Sequence, residues 1–354
     1  MKILFLVPYP LHESPSQRFR FEQYFHLLEE AGHSYQVQSF LPAQRWRLLS
    51  RPGHGFSKAY LITAGFVRRI MAPLYALSCD RIFIHREVTP VGPPVFEWII
   101  ARLLRKKVIY DFDDAIWLTD RQQESTWFRW LKWRKKVARV CAWSYRVSCG
   151  NEYLASFARK FATQVIVNPT TIDTSYHLPK KKSEQSLVIG WTGSRSTMNY
   201  LQEVRSPLED LMKRYPRVII RIVSDQAPDW SHPRIDFVPW SLENEIPILQ
   251  TFDIGIMPLP LDPWSLGKCG FKALQYMSLA IPAIVSPVGV NTDIVVDSVT
   301  GYHCRQPEEW ISRLEELILN PDRRATMGTA GRKRIEDYYS VASNTSRFLR
   351  LLEE

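Results

Sequence analysis

Apolar residues along this chain fall into short β-branched runs separated by longer helical stretches. That alternation gives a parallel sheet its strands and crossover helices. In the first half the predicted strands are Ile3–Val7, Tyr35–Phe40, Arg81–Ile84, Val108–Tyr110, Arg146–Ser148 and Gln164–Val167. The second half repeats the plan with Leu187–Trp191, Val218–Val223, Arg234–Phe237, Ile254–Met257 and Ala283–Val285, followed by three helical stretches. Between the halves the chain is polar, contains Pro169 and Pro179, and carries the basic run Lys180–Lys182, which places a linker at residues 171–185. The expected fold is α/β. Two Rossmann-like doubly wound domains, residues 1–170 and 186–335, face a central cleft, and a last helix over 336–354 returns towards the first domain. In such sheets ligands bind outside the carboxyl ends of the strands, so the cleft is the expected site.

Composition narrows the class. The 354 residues, 45% hydrophobic and 23% charged, suit two globular cores and exclude a disordered chain. Five scattered cysteines, with no Cys-x-x-Cys pair, point to a reducing compartment and no structural metal site. The apolar run Ile3–Val7 is too short for a signal-peptide core, and nowhere do eighteen apolar residues run together, so a cytoplasmic location is expected. Charge is uneven: residues 1–180 carry a net +12 and residues 181–354 a net −2, so an anionic surface or polymer would be met by the first half. The turn after the first strand reads Val7-Pro8-Tyr9-Pro10, without the Gly-x-Gly-x-x-Gly of dinucleotide binding.

Candidate chemistry concentrates between Asp253 and Val295. Gly267-Lys268-Cys269-Gly270-Phe271-Lys272 runs straight into a helix, whose first backbone N–H groups lack intrahelical partners and form a site for a diphosphate. Lys272 falls in the first turn, where a cation opposes the helix dipole unless an anion is bound beside it. Gln275, three residues on, is expected on the same face. Ser286-Pro287-Val288-Gly289 forms a second turn able to offer backbone donors.

These segments resemble the family 4 glycosyltransferases of the GT-B fold. The resemblance rests on Lys268-Cys269-Gly270-Phe271-Lys272 with Gln275-Tyr276-Met277, Ile281 to Ser286, Ser148 to Leu154, Val167 to Asp173, and Gly328 to Arg332. It implies a retaining transfer of a sugar from a nucleotide diphosphate donor, bound by the second domain, to a glycan or lipid-linked acceptor held by the first. No cofactor or metal is implied, because the nucleotide-sugar is itself a substrate. Two glutamates usual in the family are replaced here by Gly267 and Gln275; an amide in place of the second weakens a ribose contact by roughly 1 kcal/mol. The usual Arg/Lys pair is also absent: the turn reads Gly193-Ser194-Arg195-Ser196, with Asn199 in the lysine's place, and Arg195 or Lys268 would supply the charge. Asp113 stands where the family has a histidine, and there could bind a sugar hydroxyl or stabilise positive charge on the anomeric carbon. In front-side attack the leaving phosphate takes the acceptor's proton, so the protein positions reactants and stabilises the diphosphate.

Other candidates have plain alternatives. His85 and Arg86 end a strand and would line the cleft, or be structural. Arg18 and Arg20 open the first helical stretch, where acceptor or phosphate is met, or form a solvated face. Trp240 could stack on the donor base or cover the domain edge. The acid-free stretch Trp127 to Arg139 reads as an amphipathic helix, with Trp130, Trp133 and Val137 on one side, suited to the anionic inner face of a membrane; a crossover helix is the alternative. A sequence pI of 9.3 raises nucleic acid, but no binding module accompanies it, so none is expected as a partner. Two rival functions stay open: a nucleotide-sugar epimerase, and a non-catalytic scaffold that has kept the fold.

Overall fold

The computed structural model describes residues 1–49, 55–119, 125–180 and 186–353. Contacts divide it into two units. The first comprises Met1–Thr170, Gly267–Cys269 and Asn344–Glu354; the second comprises Thr171–Leu266 and Gly270–Ser343. Residues 171–180 of the expected linker thus belong to the second unit, where Ile172 bridges Ser340; residues 181–185 lie outside the described residues.

The first sheet holds β1 (Lys2–Val7), β2 (Ser34–Ser39), β3 (Arg81–His85), β4 (Lys107–Phe112), β5 (Arg146–Cys149) and β6 (Val165–Val167), all parallel, in the order β2-β1-β3-β4-β5-β6. Ile3 to Val7 are all fully buried, as expected of a strand covered on both faces. Helices α1 (Pro15–Arg18) and α2 (Phe25–Glu30) lead from β1 to β2. The connections running the other way along the sheet carry α3 (Ala43–Leu49), α4 (Gly55–Ile70), α5 (Ala72–Leu77), α6 (Val95–Trp98) continued by a π-turn at Ile99–Leu103, α7 (Thr126–Lys132), α8 (Lys136–Trp143) and α9 (Glu152–Ala158). Right-handed crossovers place this second group on the opposite face of the sheet. Arg69, fully buried on α4, donates to the carbonyls of Val7 (2.5 Å), Gln38 (2.7 Å) and Val88 (2.8 Å), tying together the carboxyl ends of β1 and β2 and the chain beyond β3. Burial pushes its pKa down to about 9, so it stays charged at neutral pH.

The second sheet contains β7 (Leu187–Thr192), β8 (Val218–Ser224), β9 (Ile235–Pro239), β10 (Ile254–Met257), β11 (Ala283–Val285) and β12 (Gly301–His303), again parallel, in the order β12-β11-β10-β7-β8-β9. Its helices are α10 (Arg195–Met198), α11 (Arg205–Arg214), α12 (Glu245–Leu249), α13 (Pro263–Leu266), α14 (Phe271–Ser278), α15 (Asn291–Ile294), α16 (Pro307–Leu319) and α17 (Pro321–Arg334); α18 (Val341–Glu353) starts in this unit and belongs to the first from Asn344 on. Trp191, Ile220, Ile222, Ile254 and Ile256 pack against Leu208, Leu211, Trp310 and Leu314 to form its core.

All eleven strands expected from the apolar runs are present. The twelfth, β12, escapes that reading because it is three residues opened by a glycine, a residue that usually punctuates. Its place in the sheet explains the glycine: a Cβ on Gly301 would stand 2.0 Å from the Ala283 carbonyl oxygen. The last residues of α18 pack on the first unit, where Phe348 stacks on Tyr24 with ring centroids 4.2 Å apart. Arg81 donates to the carbonyls of Leu352 and Glu353, and Arg146 to those of Arg350 and Leu351, at 2.9 to 3.0 Å, satisfying acceptors that a helix end leaves open.

Candidate functional site

At the carboxyl end of the first sheet three aspartates and three cations form a chain of ion pairs, the Arg20–Asp111 pair buried and the others half-buried. Arg20 and Asp111, both inaccessible, pair through Nη2 and Oδ1, with a second contact from Nε to Oδ2 at 3.3 Å. Asp111 also meets His85 Nδ1 at 2.8 Å and accepts from Ser148 Oγ at 2.6 Å. Burial alone would raise the Asp111 pKa, but Arg20 and His85 outweigh it and hold the carboxyl well below the usual range. Arg20 and His85 are therefore fixed inside the unit and present no open face to a ligand, although His85 Nε2 lies 3.3 Å from Ser16 Oγ. Arg18 is half-buried with its guanidinium 4.9 Å above the Phe19 ring.

Arg86 sits in the left-handed region (φ 57°) just after β3, held by its own N–H on the Asp111 carbonyl (2.7 Å) and by Tyr110 Oη donating to its carbonyl (2.7 Å). That turn aims the guanidinium at two acids, Nε to Asp113 Oδ1 at 2.7 Å and Nη2 to Asp114 Oδ2 at 2.6 Å. Asp114 in turn pairs with Lys268 Nζ at 2.9 Å. Burial raises the Asp114 pKa, and Lys268 and Arg86 together bring it below its ordinary value. The segment Gly267–Cys269 is thus stitched to the first unit: Asn151 Nδ2 donates to the Lys268 carbonyl at 2.9 Å, and Cys269 Sγ to the Asp113 carbonyl at 3.1 Å. Gly150 is required beneath it, since a Cβ there would lie 2.2 Å from Cys269 Sγ. Lys268, expected to add charge beside the donor, is engaged with Asp114. Asp111, Asp114, Ser148 and Asn151 are members of this cluster that were not among the candidate site residues; the acids at 111–114 and the Ser148–Leu154 segment were their visible signals.

The carboxyl end of the second sheet gathers the other candidates. Gly193, Ser194 and Arg195 follow β7, with the Arg195 N–H on Asp225 Oδ1 at 2.7 Å and its side chain exposed. Trp240 follows β9, half-buried, its N–H on the Ser224 carbonyl at 2.9 Å. Helix α14 starts at Gly270 in the left-handed region (φ 67°), a residue with no side chain to cap the N–H groups of Phe271 and its successors. Lys272 is half-buried with Nζ 5.3 Å above the Trp191 ring. Tyr276 Oη accepts from the Thr192 N–H (3.0 Å) and meets the Ile256 carbonyl (3.3 Å), pinning α14 across β7 and β10. Gly289 (φ 56°) passes so close to Leu266 that a Cβ would stand 2.9 Å from its carbonyl oxygen.

Gln275 departs from expectation. It is buried, and its Nε2 donates to Glu245 Oε1 at 3.0 Å, so it points into the unit rather than sharing an open face with Lys272. Glu245, a buried carboxylate brought from α12, was not foreseen; thirty residues separate the pair. The stretch Trp127 to Arg139 is not one amphipathic helix either. Trp133 adopts φ 43° and breaks it into α7 and α8; Val137 is buried, and buried Lys136 donates to the Thr89 carbonyl and pairs with Glu87 at 2.8 Å. Trp127 and Trp130 remain exposed, stacked at 5.5 Å. Among the described residues no group of three or more His, Cys, Asp or Glu side chains could hold a metal ion, and no helix is long and apolar enough to cross a membrane.

Residues 238–334 match the family model of glycosyl transferases group 1. That span runs from the end of β9 through α17 and includes Trp240, Lys272, Gln275 and Gly289. A stretch of 82 residues is 32% identical to the alpha-1,3/1,6-mannosyltransferase ALG2 of Homo sapiens, covering 23% of this chain and 20% of that protein, about a fifth of the relative's length. Among solved structures, sucrose-phosphate synthase from Thermosynechococcus elongatus superposes with a TM-score of 0.71 at 13% identity, covering 99% of this chain and 98% of the other. A glycosyltransferase from Rickettsia africae gives 0.67 at 14%, covering 99% and 97%, and Anabaena HepE in complex with UDP-glucose gives 0.65 at 12%, covering 99% and 98%. At these identities the likeness speaks for the fold, which is the α/β GT-B type with two Rossmann-like doubly wound units.

Proposed function

We propose that this protein is a retaining glycosyltransferase that moves a sugar from a uridine or guanosine diphosphate donor, held by the second unit, to a glycan or lipid-linked acceptor held by the first. The observation that carries the reading is the start of α14: Gly270 in the left-handed region, no capping side chain, and Lys272 in the first turn, inside the span matching group 1 glycosyl transferases. A lysine and the positive end of a helix dipole side by side both favour a bound anion, and a diphosphate matches that pair. In the reaction the bond from the anomeric carbon to the diphosphate oxygen breaks, the acceptor oxygen bonds to the same face of that carbon, and its proton passes to the leaving phosphate. Lys272 and the helix start stabilise the charge that grows on the departing diphosphate. Asp113, oriented by Arg86, accepts a hydrogen bond from a sugar hydroxyl. Gly193 to Arg195, Trp240 and the Gly289 turn complete the donor site, and no metal takes part. We place the reaction in cell-surface polysaccharide or glycolipid synthesis at the cytoplasmic face of a membrane, with Trp127 and Trp130 at the lipid surface.

Calorimetry against uridine and guanosine diphosphates and their sugar conjugates tests the donor site. Saturable binding that weakens about tenfold in Lys272→Ala, about 1.4 kcal/mol, is the expected result; unchanged affinity in the variant removes Lys272 from the site. A second reading rests on Gly267 and on Gln275, whose amide is engaged with Glu245: a non-catalytic relative that binds the nucleotide-sugar without turnover. Donor hydrolysis or transfer excludes it.

A further inference from the structure

The outer helices of the first unit, on the face opposite α1 and α2, are apolar on both sides. Leu61, Arg69, Ala72 and Ala76 face the sheet and are buried. The other side of the same helices presents Tyr60, Val67, Ile70, Leu74 and Leu77, and the neighbouring π-turn presents Leu103, which is 64% exposed. A helix flanked by water would carry polar residues at these positions. Lys106 Nζ donates to the carbonyls of Leu77 (2.9 Å) and Cys79 (3.0 Å), so the end of α5 sits against the turn that follows Leu103 and the leucines form one surface. Contiguous exposed apolar surface of this kind marks a place where something docks.

Charge says what. From Ala31 to Cys79 the chain has no Asp or Glu; from Val88 to Tyr110 it has only Glu97, which is buried; and from Ser125 to Asn151 it has none. Exposed cations lie close by in the chain, Arg68 next to Val67 and Ile70 on α4, Arg102 and Arg105 either side of Leu103, and Lys107 just beyond. We infer that helices α4 and α5 with the turn at Ile99–Leu103 form the principal docking surface for an anionic lipid bilayer, the leucines entering the acyl boundary and the cations lying over the headgroups. A second copy of the chain fits less well, because a two-fold pairing would set these cationic rims against each other. The inference extends the membrane placement proposed above, which rested on Trp127 and Trp130, and it does not depend on the donor site.

Vesicle co-sedimentation tests it, with phosphatidylcholine alone and with phosphatidylglycerol added, on the full chain. The wild type should sediment only with the anionic vesicles and release as salt is raised. Leu74→Ser/Leu77→Ser/Leu103→Ser should lower the partition coefficient at least about tenfold, more than Trp127→Ser/Trp130→Ser, with melting temperature unchanged. Arg102→Gln/Arg105→Gln/Lys107→Gln should weaken binding and flatten its salt dependence. No sedimentation of the wild type, equal binding to both vesicle types, or an undiminished leucine variant each overturns the inference. A wild-type dimer converted to monomer by the leucine substitutions would assign the surface to self-association instead. Loss of binding in the tryptophan pair alone would leave the earlier placement standing and remove this one.

Discussion

Replacing Asp111 by alanine tests whether the ion-pair chain organises the first unit. The substitution leaves the Arg20 guanidinium, fully buried, with no carboxylate opposite it, and deprives His85 Nδ1 and Ser148 Oγ of their acceptor. Arg20 keeps its contact with the Asn168 carbonyl, which offsets only part of the loss. Removing one member of a buried pair costs about 3 to 5 kcal/mol, because the remaining charge stays desolvated. For a unit of this size that lowers the melting temperature by about 10 °C. The two units need not unfold together, so amide hydrogen exchange in β3 and β4 is the assay that reads the first unit by itself. pH supplies an independent check. The folded pKa of Asp111 is held below its unfolded value, so the ionised carboxyl stabilises the fold fully above about pH 4 and that contribution fades as pH falls below it. Asp111→Asn should lose the acid-side dependence along with the stability. A loss under about 1 kcal/mol in Asp111→Ala would show that Arg20 is solvated or paired in some other way and would refute the reasoning.

Further outcomes follow from close contacts. Gly150→Ala drives a methyl into Cys269 Sγ and should destabilise the attachment of Gly267–Cys269 by about 1 to 3 kcal/mol, with recovery on adding Cys269→Ala, read by urea denaturation. Tyr276→Phe removes the acceptor of the buried Thr192 N–H and should cost about 1 to 3 kcal/mol in the second unit, with faster exchange of that amide. Gln275→Ala takes away a hydrogen bond to the buried Glu245 carboxylate, and an added Glu245→Ala should restore part of the loss in a double-mutant cycle.

What could be read from the sequence was whatever depends on local period. The apolar runs located eleven strands because a strand covered on both faces needs continuous burial, and the glycine before Phe271 located the start of α14 because a turn there needs φ above zero. What could not be read depends on partners distant along the chain. The choice of Asp111 rather than Asp113 as the partner of Arg20 is settled by where β4 ends, since Asp111 lies inside the strand between His85 of β3 and Ser148 of β5 while Asp113 lies beyond it, and the engagement of Lys268 by Asp114 and Asn151 meeting around it. The break at Trp133 was equally hidden, since the residues around it are good helix formers. These long-range pairings also relocate the positive charge. Arg20, Arg86 and Lys268, read as cations available to a ligand, are matched by three aspartates. Part of the surplus of the first half is exposed near the outer crossover helices, with Arg68 on α4, Arg102 and Arg105 either side of Leu103 and Lys107 at the start of β4. Its effect is felt by whatever large anionic surface approaches that face, while the diphosphate of a donor would be met by Lys272 and backbone N–H groups.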